Sequence, residues 1–255
     1  MTYCIGLKLD AGLVLLSDTR TNAGLDNIAR FRKMFTWSVP GERVMALLTA
    51  GNLSITQGVV SRLNKAIAIA EEATPDGTGS PEVPETILNA ETLFRCAQIV
   101  GQTMREMQDS HRREIVEQGA DADASVLLAG QRADGRHRLY LIYAAGNFIE
   151  ATADTPFFQL GEHKYGKPIL DRIITPKTPI ETALKAAMVS MDSTLRSNLS
   201  VGMPLDLLVI REGLLEFAIN RRIAASDPEF QAISRTWSDA LHHAFESLPD
   251  VTMEG

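Results

Sequence analysis

The tightest constraint on this chain lies at its beginning, where Tyr3-Cys4-Ile5-Gly6-Leu7-Lys8-Leu9-Asp10 and Gly12-Leu13-Val14-Leu15-Leu16-Ser17-Asp18 follow one another. Both stretches read as β-strands, and Asp10-Ala11-Gly12 between them is a turn signal that returns the chain antiparallel. Such a hairpin carries Asp18, at the end of the second strand, back to where the first strand starts. That start is preceded by Thr2, which becomes the first residue once Met1 is removed, and methionine is readily trimmed before a small residue. A threonine at a free N-terminus holds a hydroxyl nucleophile and an amine base on one residue. The α-amino group, with a reference pKa of roughly 7.7 to 8.0, can take the hydroxyl proton. Thr2 is therefore a candidate catalytic centre, weighed against the plain fact that Thr is common after Met.

Two more features converge on the same chemistry. Residues 31–37, Phe-Arg-Lys-Met-Phe-Thr-Trp, read as a strand that sets Lys33 between bulky apolar neighbours, where a lysine either snorkels to water or pairs with an acid. Residues 43–49 form an apolar run ending in Ala50-Gly51-Asn52, and a helix follows from Leu53. A glycine between a strand and a helix N-terminus can present a backbone N–H to a developing negative charge, as an oxyanion hole requires. The bland alternative for Asp18 and Lys33 is an ordinary ion pair at a strand edge.

The rest of the chain reads as α+β. Residues 52–72 carry core-facing helical spacing, a polar stretch with Pro75-Asp76-Gly77, Gly79 and Pro81 breaks it, and residues 84–118 carry a second long helical pattern. Short strands follow at residues 124–128, 138–143 and 148–151, then helices at 167–174 and 180–195. A hairpin is expected from residues 205–210 and 214–219 across Arg211-Glu212-Gly213, before a last amphipathic helix over residues 227–248. The 255 residues, 45% of them hydrophobic, read as one domain with a substantial core. A net charge of -7 and a pI near 5.3 disfavour nucleic-acid binding, and no apolar run approaches a membrane span, so a cytoplasmic protein is expected. Cys4 and Cys96 are too few for a disulfide framework and read as buried thiols. Cys4 would become a nucleophile only after cleavage behind Tyr3. Adjacent His242 and His243 point in different directions on a helix, so neither a metal nor any other cofactor is expected.

The order of Thr2, Ser17-Asp18-Thr19-Arg20, Arg32-Lys33-Met34-Phe35 and Thr49-Ala50-Gly51 resembles a proteasome β-type subunit of the N-terminal-nucleophile hydrolase superfamily. Thr21-Asn22-Ala23-Gly24, Gly161-Glu162-His163-Lys164-Tyr165-Gly166-Lys167-Pro168 and Met191-Asp192-Ser193-Thr194 extend the resemblance to the bacterial branch called Anbu, over essentially the whole chain. The resemblance implies a four-layer αββα sandwich and a threonine peptidase: Thr2 attacks the amide, Lys33 beside it keeps the amine available as base, Asp18 orients Lys33, and Gly51 receives the oxyanion. The substrate would be a peptide or another amide, held around Thr21, Thr49 and Leu53.

One family motif departs. Where an Asp-x-x-Ser-Gly-Gly turn usually braces the threonine, this chain reads Ser197-Asn198-Leu199-Ser200-Val201-Gly202. Ser200 is placed at the family serine and Ser197 where the acid would be; a shift by one puts Asn198 and Val201 there instead. A further family serine falls around Gly161-Glu162-His163, where there is none. Two other functions therefore stand beside the peptidase: an amidohydrolase on a specialised amide, and a non-catalytic assembly subunit. The resemblance also implies a homo-oligomer, a ring or open spiral, with the helical segments 52–72 and 84–118 as candidate contacts. No Gly-x-x-x-x-Gly-Lys-Ser/Thr loop occurs, so an ATP-driven unfoldase would have to be another protein.

Overall fold

The computed structural model describes residues 1–22, 28–73 and 83–251. Ala23-Gly24 of the family motif and the breaker residues Pro75 to Pro81 lie outside the described residues. β1 (Tyr3–Leu9) and β2 (Gly12–Ser17) make the expected hairpin, with Cys4 opposite Ser17. β3 (Arg20–Asn22) and β4 (Ile28–Arg30) pair as a small ribbon. β5 (Met34–Val39) and β6 (Arg43–Gly51) are followed by α1 (Leu53–Glu72) and α2 (Leu93–Glu117), then by β7 (Ala124–Arg132), β8 (Arg138–Ile142) and β9 (Phe148–Glu150). β10 (Phe157–Gly161), α3 (Lys167–Ile173), α4 (Ile180–Ser197), β11 (Leu205–Arg211), β12 (Ile219–Ile223) and α5 (Pro228–Glu246) complete the order.

The strands assemble into two antiparallel five-stranded sheets, β10-β1-β2-β11-β12 and β5-β6-β7-β8-β9. Period-two alternation decides how they stack. In β1, Tyr3, Ile5, Leu7 and Leu9 join Leu170, Ala183, Ala187 and Met191 of α3 and α4 in one core. Cys4 on the opposite face joins Leu13, Val44, Leu48, Leu127 and Leu208 in the core between the sheets. A third core sets Met45, Leu47, Val126 and Leu128 against Ile55, Val59, Cys96 and Met104 of α1 and α2. Three apolar layers separate four layers of structure, giving the αββα sandwich. His137, before β8, ties the sheets together, its ring bonded to the Leu9 carbonyl and the Glu212 carboxylate.

Several expected boundaries shift for local reasons. The strand expected at 31–37 begins at Met34, because the Phe31 N–H donates to the Thr19 carbonyl and leaves residues 31–33 as the link out of the ribbon. The helix expected from 84 begins at Leu93. Ahead of it the Thr86 N–H donates to Asn89 Oδ1, and buried Arg43 takes the Ile87 and Ala90 carbonyls at 3.1 and 3.0 Å, which a helix would need for itself. Thr92 then caps α2 through the Arg95 N–H. In the last hairpin the second strand is residues 219–223 rather than 214–219, since Gly213 and Leu214 instead bond Gln131. β10 was not expected at all. The buried faces of α1 and α2 pack on their own sheet, while Ile69, Phe94 and Val116 stay exposed on these two helices.

Candidate active site

β1 starts between two neighbours, β2 on one side and β10 on the other, and this pairing builds the site around Thr2. Tyr3 lies opposite Gly161 of β10, and the Asp18 N–H, just beyond β2, donates to the Tyr3 carbonyl at 3.1 Å. Tyr3 anchors the strand below: its hydroxyl bonds Ser190 Oγ at 2.7 Å and accepts from Gln159 Nε2 at 2.6 Å, and burial pushes it up to about 12. Thr2 itself is buried, while Met1 is exposed.

Asp18 is wholly buried, and every oxygen lone pair has work. Oδ1 accepts from the Tyr3 N–H at 3.1 Å and from Lys33 Nζ at 2.7 Å; Oδ2 accepts from the Arg20 and Gly202 N–H groups at 3.1 and 3.2 Å. Burial pushes its carboxyl above the ordinary value, and the lysine and backbone donors oppose that push. Lys33 reaches further than its ion pair: Nζ also donates to the Arg20 carbonyl at 2.6 Å and to the Met1 carbonyl at 3.4 Å. The lysine is thus held against the peptide bond that joins Met1 to Thr2. The chain's terminal amine is shifted below its ordinary value, first by burial and then by the Lys33 cation, with Asp18 opposing.

Thr49 supports this arrangement from β6, since its N–H donates to the Lys33 carbonyl at 2.9 Å and its Oγ1 to the same oxygen at 3.4 Å. Gly51 ends β6 with φ +100°, and a Cβ there would collide with the Asp123 carbonyl oxygen, so only glycine fits. Asn52 caps α1 by accepting from the Ser54 and Ile55 N–H groups at 3.0 and 3.2 Å, which puts Gly51 at the positive end of a twenty-residue helix. Leu53 is the half-buried first residue of that helix, and Thr21 sits half-buried on β3 opposite Ala29. Cys4 faces away: it is fully buried, its Sγ donates to the Thr49 carbonyl, and burial drives the thiol far up, which ends its candidacy as a nucleophile. Burial likewise pushes Cys96 up to about 11. Among the described residues no three His, Cys, Asp or Glu side chains gather as metal ligands.

The segment expected to brace Thr2 holds Asn198 as well as the two serines. Ser197 is exposed at the last position of α4, and Ser200 is tied in through its backbone, its N–H donating to Asn198 Oδ1 at 2.9 Å. Asn198 and Glu162 meet instead. Asn198 Nδ2 donates to Glu162 Oε2 at 2.8 Å, and Glu162 Oε1 accepts from the His163 and Lys164 N–H groups at 2.9 and 2.8 Å. The Glu162 N–H donates to the Thr2 carbonyl at 2.7 Å. Those donors outweigh burial and hold the Glu162 carboxyl below its ordinary value. Beside it, Gly161 has φ +75°, and a Cβ there would strike the Thr2 carbonyl oxygen. The one-residue shift that puts Asn198 and Val201 in place of Ser197 and Ser200 is the sequence signal for Asn198; Glu162 stands in the stretch where a family serine is expected.

Two stacked antiparallel sheets between helical layers, with a buried lysine and aspartate at the start of the first strand, define the proteasome-like class of N-terminal-nucleophile hydrolase folds. No family model and no curated protein matches the chain, but solved structures do. Anbu (ancestral beta-subunit) from Yersinia bercovieri is 39% identical with a TM-score of 0.88, over 99% of this chain and 100% of that one. An Anbu (Gly-1) mutant from Hyphomicrobium sp. strain MC1 is 42% identical with a TM-score of 0.87, over 99% and 100%. The structure titled as the helical assembly of the Anbu complex from Pseudomonas aeruginosa is 46% identical with a TM-score of 0.86, over 98% of both chains. The chain belongs to the Anbu family, the homologues of an ancestral proteasome β subunit.

Proposed function

We propose that the chain is a threonine-type hydrolase of amide bonds, acting in the cytoplasm after removal of Met1. The observation that carries this reading is Lys33: a buried cation, fixed by Asp18 at 2.7 Å and the Arg20 carbonyl at 2.6 Å, aimed at the peptide unit that precedes Thr2. With Met1 gone, the Thr2 amine takes that place. Burial and the Lys33 cation lower the Met1 amine of the untrimmed chain; acting on a Thr2 amine, the same two causes would favour the neutral form, which is the form that accepts a proton. Thr2 Oγ attacks the substrate carbonyl carbon and its proton passes to the amine, directly or through water. The Gly51 N–H receives the developing oxyanion. Collapse breaks the C–N bond, and the ammonium returns its proton to the leaving amine. Water then cleaves the ester and restores Thr2. Thr21, Thr49 and Leu53 border the substrate, while Ser200 and Ser197 belong to the bracing turn.

The exposed position of Ser197 and the presence of Glu162 and Asn198 favour a second reading, an N-terminal-nucleophile amidohydrolase on a specialised non-protein amide. Turnover profiles on a peptide library and on small amides separate the two: cleavage of peptides supports the peptidase, and cleavage of small amides alone supports the second. Loss of either activity in Thr2→Ala is required by both. The helical assembly of the Pseudomonas aeruginosa relative supports extending the reading to a homo-oligomer larger than a dimer, with any unfoldase supplied by another protein.

A further inference from the structure

The ribbon of β3 and β4 is fastened to the Asp18–Lys33 pair. The Arg20 carbonyl accepts from Lys33 Nζ at 2.6 Å, the Arg20 N–H donates to Asp18 Oδ2 at 3.1 Å, and Thr21 follows on the same strand. The ribbon's charges are of one sign. Arg20 and Arg30 lie directly opposite each other in its register, and Arg32 stands one residue before Lys33. Like charges set opposite each other weaken a strand pair, so this arrangement does not serve the ribbon's own stability. Arg20 turns Nη1 to the Leu199 carbonyl at 2.7 Å, while Arg30 and Arg32 are exposed. Among the described residues no carboxylate pairs with any of the three: Asp18 is held by Lys33, Asp206 by Arg222, and Asp227 and Glu229 by Arg221.

Arg32 also lines a cleft of about 330 Å3 between the edges of β5 and β12, whose charged lining is Arg32, Arg221 and Arg222 against Asp206 alone. The chain as a whole carries a net charge of -7. A local field opposite in sign to that of the whole molecule draws anions to this face and turns cations away. The guanidinium group, with its planar fork of donors, matches a carboxylate through two parallel hydrogen bonds. We infer that the substrate is an acidic one, bearing carboxylates near the scissile amide that Arg30 and Arg32 draw in and orient, with the cleft taking a side chain that extends past Lys33. This names the substrate class of the proposed hydrolase and rests on that reading. Asp and Glu side chains and a free C-terminus offer the same carboxylate, and the test separates them.

Initial rates on matched peptides with acidic, neutral or basic residues around one scissile bond, each with a free and an amidated C-terminus, provide that test. The full chain should cleave the acidic set with kcat/KM about tenfold or more above the neutral set, mainly through KM. The preference should shrink as salt rises from about 0.05 to about 0.5 M, because exposed charges are screened beyond roughly 10 Å at 0.1 M. The Arg30→Gln/Arg32→Gln double variant should bring the acidic-to-neutral ratio close to one, and Arg30→Glu/Arg32→Glu should turn the preference toward basic peptides. Arg113→Gln, which removes an exposed cation paired with Glu117 on α2, should keep the wild-type ratio. A preference that survives amidation assigns the recognised group to Asp and Glu side chains, and one that needs the free C-terminus assigns it to the terminal carboxylate; either upholds the inference. A wild type that cleaves all three sets equally, or a double Gln variant that keeps the full preference, would overturn it and leave the hydrolase standing. A wild type that cleaves none of the peptides would remove the peptidase reading and this inference together.

Discussion

Lys33 and Asp18 are each buried, so neither can be altered alone without leaving the other unsatisfied. Lys33→Ala strands a carboxylate in the core, a change that costs about 3 to 5 kcal/mol where buried pairs are broken from one side. It should therefore lower the thermal midpoint as well as abolish turnover. Thr2→Ala is the cleaner variant: it removes the nucleophile and little volume, so turnover should drop by roughly three orders of magnitude or more while stability changes by about 1 kcal/mol. Differential scanning calorimetry beside a turnover assay checks both, and a Thr2→Ala protein with wild-type turnover would remove Thr2 from the mechanism. The amine gives a pH prediction. Burial first and Lys33 second lower the Met1 amine of the untrimmed chain, and the same two causes acting on the Thr2 amine would let its free base persist to lower pH. The acidic limb of kcat/KM should then have its midpoint below the ordinary amine value of about 8, and a midpoint at or above it would contradict the assignment of the amine as base.

At the scale of elements, the turn after β10 and the end of α4 meet through Glu162 and Asn198, and exchanging their chemistry tests what that meeting does. Glu162→Gln turns an amide donor toward the Asn198 donor, and Asn198→Asp sets two carboxylates face to face. The double variant restores every bond with carboxylate and amide exchanged. Each single change should lower kcat tenfold or more with KM little altered, because Glu162 also fixes the Thr2 carbonyl through its N–H; the double variant should recover most of the loss. Additive losses would sink the bracing role. This pair also marks the limit of what the sequence disclosed. The strand-end positions of Thr2, Asp18, Lys33 and Gly51 are legible because each borders a strongly apolar strand or a helix start. Glu162 and Asn198 are thirty-six residues apart and meet only because β10 pairs with β1, and Phe157-Phe158-Gln159-Leu160-Gly161 has too little alternation to announce a strand. The start of α2 was misplaced for a similar reason: Ile87 and Leu88 keep helical spacing, while Arg43, forty-odd residues away, claims the carbonyls.

In the whole molecule, two apolar faces per sheet explain why the α+β class was readable and the layer order was not. Period two says that β1 and β2 are buried on both sides, but which side meets helices depends on partners far along the chain, such as Leu170 and Met191 on one face and Leu127 and Leu208 on the other. The resemblance supplied that order, and the three cores bear it out. The same architecture leaves the start of β1 at the junction of both sheets, where Lys33 from the approach to β5 crosses to Asp18 beyond β2. The measurement that bears most directly on the proposed threonine hydrolase is the intact mass of the purified chain before and after treatment with a hydroxyl-reactive peptide electrophile. The account predicts a dominant species that begins at Thr2 and gains a single adduct, and no adduct on Thr2→Ala. A dominant species that retains Met1, or an adduct that survives Thr2→Ala, would contradict it.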